Sequence, residues 1–179
     1  MATTATTRAA RRTTRQSARA GKTANSNGPS AIDLLKADHR EVEDMFEKYE
    51  HAKEAAQKAE LSAKICAALK AHTQVEEELF YPAARKATGD DDLLDEATVE
   101  HAGAKHLIAE IEAMKVGDDL YDAKIKVLGE QIHHHVEEEE DELFPEVEKT
   151  KLDLEALGAQ MATRKDELMA APGKPRKAN

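Results

Sequence analysis

The sequence predicts an all-α protein: an up-down-up-down four-helix bundle with a short extra C-terminal helix and a disordered N-terminal tail. Three observations carry this. Ala, Leu, Glu and Lys are abundant while aromatic residues make up 3% and Trp is absent, a mix that favours helix over strand. Only five prolines interrupt the 179 residues, a length that suits one domain plus tails. Four stretches place apolar residues at steps of three and four, the period of a helix that buries one face.

Residues 1–29 are Ala, Thr, Ser, Arg, Gly and Asn with almost nothing large and apolar. They bury too little surface to offset the entropy of ordering, so a disordered basic tail is expected. The bundle is expected over residues 30–152. Ser30 is placed to cap the first helix, with Asp33 three residues on in capping-box spacing. The first stripe is Ile32, Leu35, His39, Val42, Phe46 and Tyr49. The second is Leu61, Ile65, Leu69, His72, Glu76, Leu79 and Ala83. The third is Leu94, Ala97, His101, Ala104, Ile108 and Ile111. The fourth is Tyr121, Ile125, Leu128, Ile132, His135, Glu139 and Leu143.

The break between the first two segments holds neither Gly nor Pro and is placed near 53–57. Thr88-Gly89-Asp90-Asp91-Asp92 separates the second from the third, and Val116-Gly117-Asp118-Asp119 the third from the fourth. Each offers a Gly C-cap and an Asp N-cap. Pro82 and Pro145 fall late in the second and fourth segments, where proline kinks or ends a helix. Residues 153–170 read as an amphipathic helix laid on the bundle through Leu154, Leu157, Met161 and Leu168, and 171–179 as a flexible tail.

The formal net charge is −10. Six basic residues and no acid give the first thirty residues +6, which leaves −16 on the rest. So acidic a body disfavours nucleic acid as a partner. Cys66 is the one cysteine, so no intrachain disulfide forms, in keeping with a reducing compartment. No apolar run reaches the ~18 residues of a membrane span. No signal-peptide core follows the N-terminal arginines. A cytoplasmic protein without membrane contact is expected, with organelle import the alternative that the acid-free N-terminus leaves open.

What occupies the inward stripes points to chemistry. A core wants Leu and Val at mid-stripe, yet each helix puts one histidine there: His39, His72, His101 and His135. The second and fourth add Glu76 and Glu139 one turn on, and residues i and i+4 share a helix face. Burying two carboxylates costs several kcal/mol unless a cation meets them. The pattern also repeats. Asp38-His39 falls on Glu100-His101 at an offset of 62, while His72, Glu76, Glu77 and Pro82 fall on His135, Glu139, Glu140 and Pro145 at 63. Two equivalent donor sets suggest two metal ions near a pseudo-twofold axis. Imidazole and carboxylate suit Fe, Mn, Zn or Cu, and carboxylates inside a helical bundle favour di-iron or di-manganese. Glu43, one turn after His39, is a possible extra ligand. Tyr49 and Tyr81 are expected to serve core packing, with a place close to the metals as the alternative; Cys66 is expected to serve core packing, His133 and His134 to lie at the surface, and Glu77 and Glu140 beside the site or at the surface.

Asp38-His39-Arg40-Glu41-Val42, the run from His72 to Pro82, Glu100-His101 and the run from His135 to Pro145 resemble the hemerythrin-like (HHE cation-binding) family, over about residues 31–150. The resemblance implies that His39 and His72 bind one iron and His101 and His135 another. Glu76 and Glu139 would bridge the two together with an oxo, hydroxo or water-derived oxygen. Mn or Zn is the less favoured occupant. Oxygen-carrying members have two histidines one turn apart on the third helix and Asp where Glu139 stands. Here Ala97 and Lys105 flank His101, and His106 lies about 140° off the stripe. Fewer imidazoles and more oxygen donors favour the ferric state, so O2 or hydrogen peroxide is expected as a reactant, with catalase-like peroxide decomposition ahead of reversible oxygen carriage. An iron- or oxygen-sensing module, or a zinc-binding or metal-storage bundle, is the alternative.

Overall fold

The computed structural model describes Met1, residues 28–89 and residues 91–170. Both expected tails fall almost wholly outside these residues. Within them the secondary structure is helical throughout: α1 Ala31–His51, α2 Ala55–Val75, α3 Tyr81–Thr88, α4 Asp92–Glu112, α5 Tyr121–Glu138, α6 Phe144–Glu148 and α7 Leu154–Ala170. A π turn, Glu76–Phe80, joins α2 to α3, and a second, Glu139–Leu143, joins α5 to α6. The bundle therefore has four rods: α1, α2–α3, α4 and α5–α6. α1 packs on α2, α4 packs on α5, and α7 lies across α1 and α2.

The start of α1 forms as its sequence dictates. Ser30 Oγ accepts the Asp33 N–H at 3.1 Å, and the Asp33 carboxylate accepts the Ser30 N–H at 3.3 Å, a capping box. Gly89, at φ 71°, ends α3 and donates its N–H to the Arg85 carbonyl, a left-handed geometry that glycine adopts without strain. The other boundaries depart from expectation. The first break falls at residues 52–54, where Ala52 is simply extended and needs neither Gly nor Pro. Asp91 precedes α4 without capping it, because its carboxylate is drawn to Arg85 at 2.5 Å. α4 ends five residues before Gly117, which sits within a turn at φ 95°. The Asp118 carboxylate caps that turn by accepting the Lys115 N–H, and the residue before α5 is Leu120, in the left-handed region at φ 70°.

Pro82 and Pro145 do not end their rods. In each case the preceding N–H skips back five residues, Tyr81 to the Glu76 carbonyl and Phe144 to the Glu139 carbonyl. The wider turn lets helix run on through a residue that lacks its own N–H. The extra residue moves the buried stripe on by one. Phe80 and Ala84 are fully buried, whereas Leu79 and Ala83, expected on the stripe, are only partly so.

The core splits into two apolar clusters. One gathers Leu35, Phe80, Leu94, Phe144 and Met161; the other gathers Val42, Ile65, Leu69, Ile108 and Leu128. α7 contributes Leu157, Met161 and Leu168 to the first. Gly158 allows its approach: a Cβ there would come within 2.5 Å of the Pro29 carbonyl oxygen. No described helix is long and apolar enough to cross a membrane.

Candidate metal centre

Each rod brings one histidine to the polar layer: His39 from α1, His72 from α2, His101 from α4 and His135 from α5. All four are buried, as are Glu76 and Glu139, the residues that open the two π turns. Both carboxylates reach across the halves. Glu76 Oε2 lies 3.2 Å from His72 Nε2 and 3.4 Å from His101 Nε2. Glu139 Oε2 lies 3.3 Å from His39 Nε2 and 3.7 Å from His135 Nε2. Two donor sets result, His39–His72–Glu76–Glu139 and Glu76–His101–His135, each with its ligand atoms within 4.8 Å of one another. Glu76 belongs to both.

Both Glu76 oxygens, Glu139 Oε2 and His39 Nε2 lack any hydrogen-bond partner. Buried carboxylate oxygens left so are costly, and a cation between the two sets would satisfy all of them. The donor set and its orphaned atoms therefore fit metal ions.

The outward ring nitrogens are held by carboxylates from neighbouring rods. His39 Nδ1 meets Glu140 at 2.8 Å, His101 Nδ1 meets Glu77 at 3.1 Å and His135 Nδ1 meets Glu100 at 2.8 Å. His72 Nδ1 approaches Asp38 at the longer 3.5 Å. A carboxylate on Nδ1 leaves Nε2 free to ligate and raises its basicity. Three of these carboxylates are in turn tied to a cation: Glu140 to Arg40, Glu77 to Lys105 and Asp38 to Lys165. The fourth, Glu100, faces His134 at 3.8 Å.

Charge in the layer is balanced between these groups. Burial opposes a proton on His39, but Glu139, Glu76 and Glu140 outweigh it and hold the ring at about 8. His101, also against burial, is held at about 9 by Glu76, Glu77 and Glu139. Glu76 stays below the usual carboxylate range despite full burial because His72, His101 and His135 surround it.

Tyr81 belongs to this site rather than to packing alone. Its hydroxyl donates to Glu139 Oε1 at 3.0 Å and lies 3.2 Å from His101 Nε2, while its ring stacks on His101. Burial, with the Glu76 and Glu139 charges, raises its pKa well above the ordinary value, so it is a neutral phenol. Glu43 is not brought in. It pairs with Arg40 at 2.6 Å, away from both donor sets. Tyr49 donates to Asp122 at 2.6 Å, outside the donor sets. His133 and His134 are exposed and Cys66 is buried. Sequence reasoning gave no role to Asp38 and Glu100, yet the signal was there: each directly precedes a stripe histidine at equivalent positions of the two halves.

The surroundings of the two halves differ. A cavity of about 230 Å³ opens between α4 and α5, and its inner wall is His101 and His135. The space beside His39 and His72 is only about 10 Å³.

Residues 30–147, more than half of the chain, match the family model described as the hemerythrin HHE cation binding domain. A curated relative, a DNA nickase of Nostoc sp. (strain PCC 7120 / SAG 25.82 / UTEX 2576), is 28% identical over 112 residues, which is 63% of this chain and 32% of the relative. The chain thus spans about a third of that relative's length. Among solved structures, a hemerythrin HHE cation binding domain-containing protein from Mycobacterium kansasii, described as an Rv2633c homolog, superposes with a TM-score of 0.68. It is 23% identical, over 80% of this chain and 90% of that one, a likeness that speaks to the fold.

Proposed function

The chain belongs to the hemerythrin HHE cation-binding family, a metal-binding helical module, and we propose that its metal centre is a pair of non-haem irons that reacts with O2 or hydrogen peroxide. His39 and His72 would hold one ion and His101 and His135 the other, with Glu76 and Glu139 supplying the carboxylates between them. The observation that carries this reading is the position of Glu76 Oε2, within 3.4 Å of an imidazole from each half and without a hydrogen-bond partner. A lone ion would leave one half's donors unsatisfied.

When bound, the irons supply electron transfer to O2 or peroxide and Lewis-acid positions for an oxygen ligand. The protein's own residues do the rest. Glu140, Glu77 and Glu100 fix three imidazoles so that Nε2 points inward, and Asp38 supports the fourth. The cavity wall at His101 and His135 is where a small oxidant reaches the centre. The Tyr81 hydroxyl, a neutral phenol 3.2 Å from His101 Nε2 that donates to Glu139, is the proton source beside the donor sets. The buried layer, closed on the α1–α2 side, excludes bulk water. The −16 charge outside the tail opposes a nucleic-acid phosphate backbone, so the Nostoc relative's named substrate is not extended to this chain.

The test is metal analysis of chain expressed with added iron, joined to a near-ultraviolet spectrum and an assay of oxygen released from peroxide. About two irons per chain, with the near-ultraviolet absorption of paired ferric ions, are expected. One ion or fewer per chain, or zinc with a silent spectrum, overturns the reading.

A further inference from the structure

The two halves share one backbone frame, so each residue on one seam has a counterpart on the other. Asp38, Ala71 and Val75 on the α1–α2 seam correspond to Glu100, His134 and Glu138 on the α4–α5 seam, by the same offsets of 62 and 63. On the first seam the residues are sealed. α7 packs over it, Lys165 neutralises Asp38, and Ala71 and Val75 are buried. On the second seam α7 is absent, and the two apolar residues are replaced by an imidazole and a carboxylate. His134 Nε2 stands 3.3 Å from Glu138 and 3.8 Å from Glu100. One donor atom from each of the three lies within 4.8 Å of the others.

Three features make this more than a solvated charge cluster. Among the described residues, Glu100 is the one orienting carboxylate of the four with no lysine or arginine partner; its contacts are His134 and His135. Glu96 and Glu142 add to the negative field at Glu138. His134 and Glu100 also line the mouth of the cavity whose inner wall is His101 and His135. Glu100 spans the distance, one oxygen on His135 Nδ1 and the other toward His134. A mixed imidazole–carboxylate set of this kind suits a first-row divalent cation. A partly exposed set releases such an ion far more readily than a buried one.

We propose that Glu100, His134 and Glu138 form a capture site for divalent metal, which loads the buried centre through the α4–α5 cavity. This rests on the metal-centre reading above. The site concentrates cations at a cavity of about 230 Å³ that reaches His101 and His135, against about 10 Å³ beside His39 and His72, and the negative field speeds encounter.

Cobalt(II) is the probe, mixed with chelator-stripped full-length chain, and its coordination is followed by visible absorption in a stopped-flow instrument. The double variant His134→Ala/Glu138→Gln is expected to reach the same two-ion endpoint roughly tenfold more slowly at low salt, with the gap narrowing in 1 M salt. His133→Ala, one residue away and outside the set, should load like the parent. The loaded parent should take up a third, weaker cobalt that the double variant does not. Equal rates with a full endpoint, or no third ion, overturn the capture site and leave the buried centre standing. A parent that takes up no pair of tightly held ions overturns the metal-centre reading and the capture site with it.

Discussion

Tyr81 and Phe144 occupy equivalent places in the two halves and differ by one oxygen atom. Each follows a π turn, each stacks on a histidine of the site, Tyr81 on His101 at 5.3 Å between ring centres and Phe144 on His39 at 5.9 Å. Only Tyr81 carries a hydroxyl to the centre, where it meets His101 Nε2 and Glu139 Oε1. The two donor sets thus differ in what they can do with a proton.

Tyr81→Phe tests this directly. The ring keeps its packing, so stability should fall by only about 1 kcal/mol, the net worth of a lost hydrogen bond, and the metal content should be unchanged. Oxygen evolution from peroxide by the iron-loaded chain should drop on the order of 100-fold, the scale of a lost general acid. An unchanged rate assigns the phenol to packing.

The bridging and terminal ligands should differ in what their loss costs. Glu76→Ala should loosen both ions, since Glu76 alone belongs to both donor sets, and Glu139→Ala should do nearly the same. His39→Ala should release chiefly one. His134→Ala should retain both once loaded. Metal retained after dialysis decides, and a large loss in His134→Ala would show that α5 is wrongly registered.

The carboxylates on Nδ1 should tune affinity without touching metal. Glu77→Gln and Glu140→Gln keep shape and remove charge beside His101 and His39. Affinity should weaken by about 10- to 100-fold, as for other residues that support a metal-bound histidine, while the far-ultraviolet circular dichroism stays the same. Competition with a coloured chelator measures it.

Removing metal should lower the melting temperature by several degrees. A ligand bound only by the folded state at a hundred times its dissociation constant adds about 2.7 kcal/mol, and the emptied layer holds carboxylate oxygens without partners. Differential scanning calorimetry before and after verified chelation is the check. An unchanged melt would mean that these groups face water.

Cys66 should be inert in the native chain. Burial, helped by the Glu112 charge, pushes its thiol from 9.0 up to about 11, and the thiolate is the reactive form. Iodoacetamide at pH 8 should label it in urea and not in buffer. Since the folded thiol keeps a proton that the unfolded one loses, its stability contribution is full below pH 9 and falls between 9 and 11. Urea midpoints at the two ends of that window give the sign.

The fold and the convergence of the six His and Glu residues were legible because both rest on helical periodicity, and a histidine at mid-stripe is conspicuous among Leu, Ile and Val. The π turns were not. A five-residue turn leaves no residue signature of its own, so the stripe extrapolates smoothly to Leu79 and Ala83 while the chain buries Phe80 and Ala84. That one-residue slip is also what hid Tyr81. The helix ends at Ala52 and Leu120 escaped notice for a different reason: one is plain extended backbone, and the other a left-handed leucine that propensity argues against.

The contacts on Nδ1 run in a circuit: Asp38 of α1 to His72 of α2, Glu77 beyond α2 to His101 of α4, Glu100 of α4 to His135 of α5, and Glu140 beyond α5 back to His39 of α1. Cut at the loop between α3 and α4, the circuit falls into two equivalent arcs, with Asp38 in one where the other has Glu100. Each arc closes one link internally and leaves one histidine and one carboxylate reaching for a mate. Two copies of either half, facing each other about the same axis, would close the ring without the connecting loop. The bundle thus has two equivalent halves arranged head to tail, and α7 covers only the α1–α2 face.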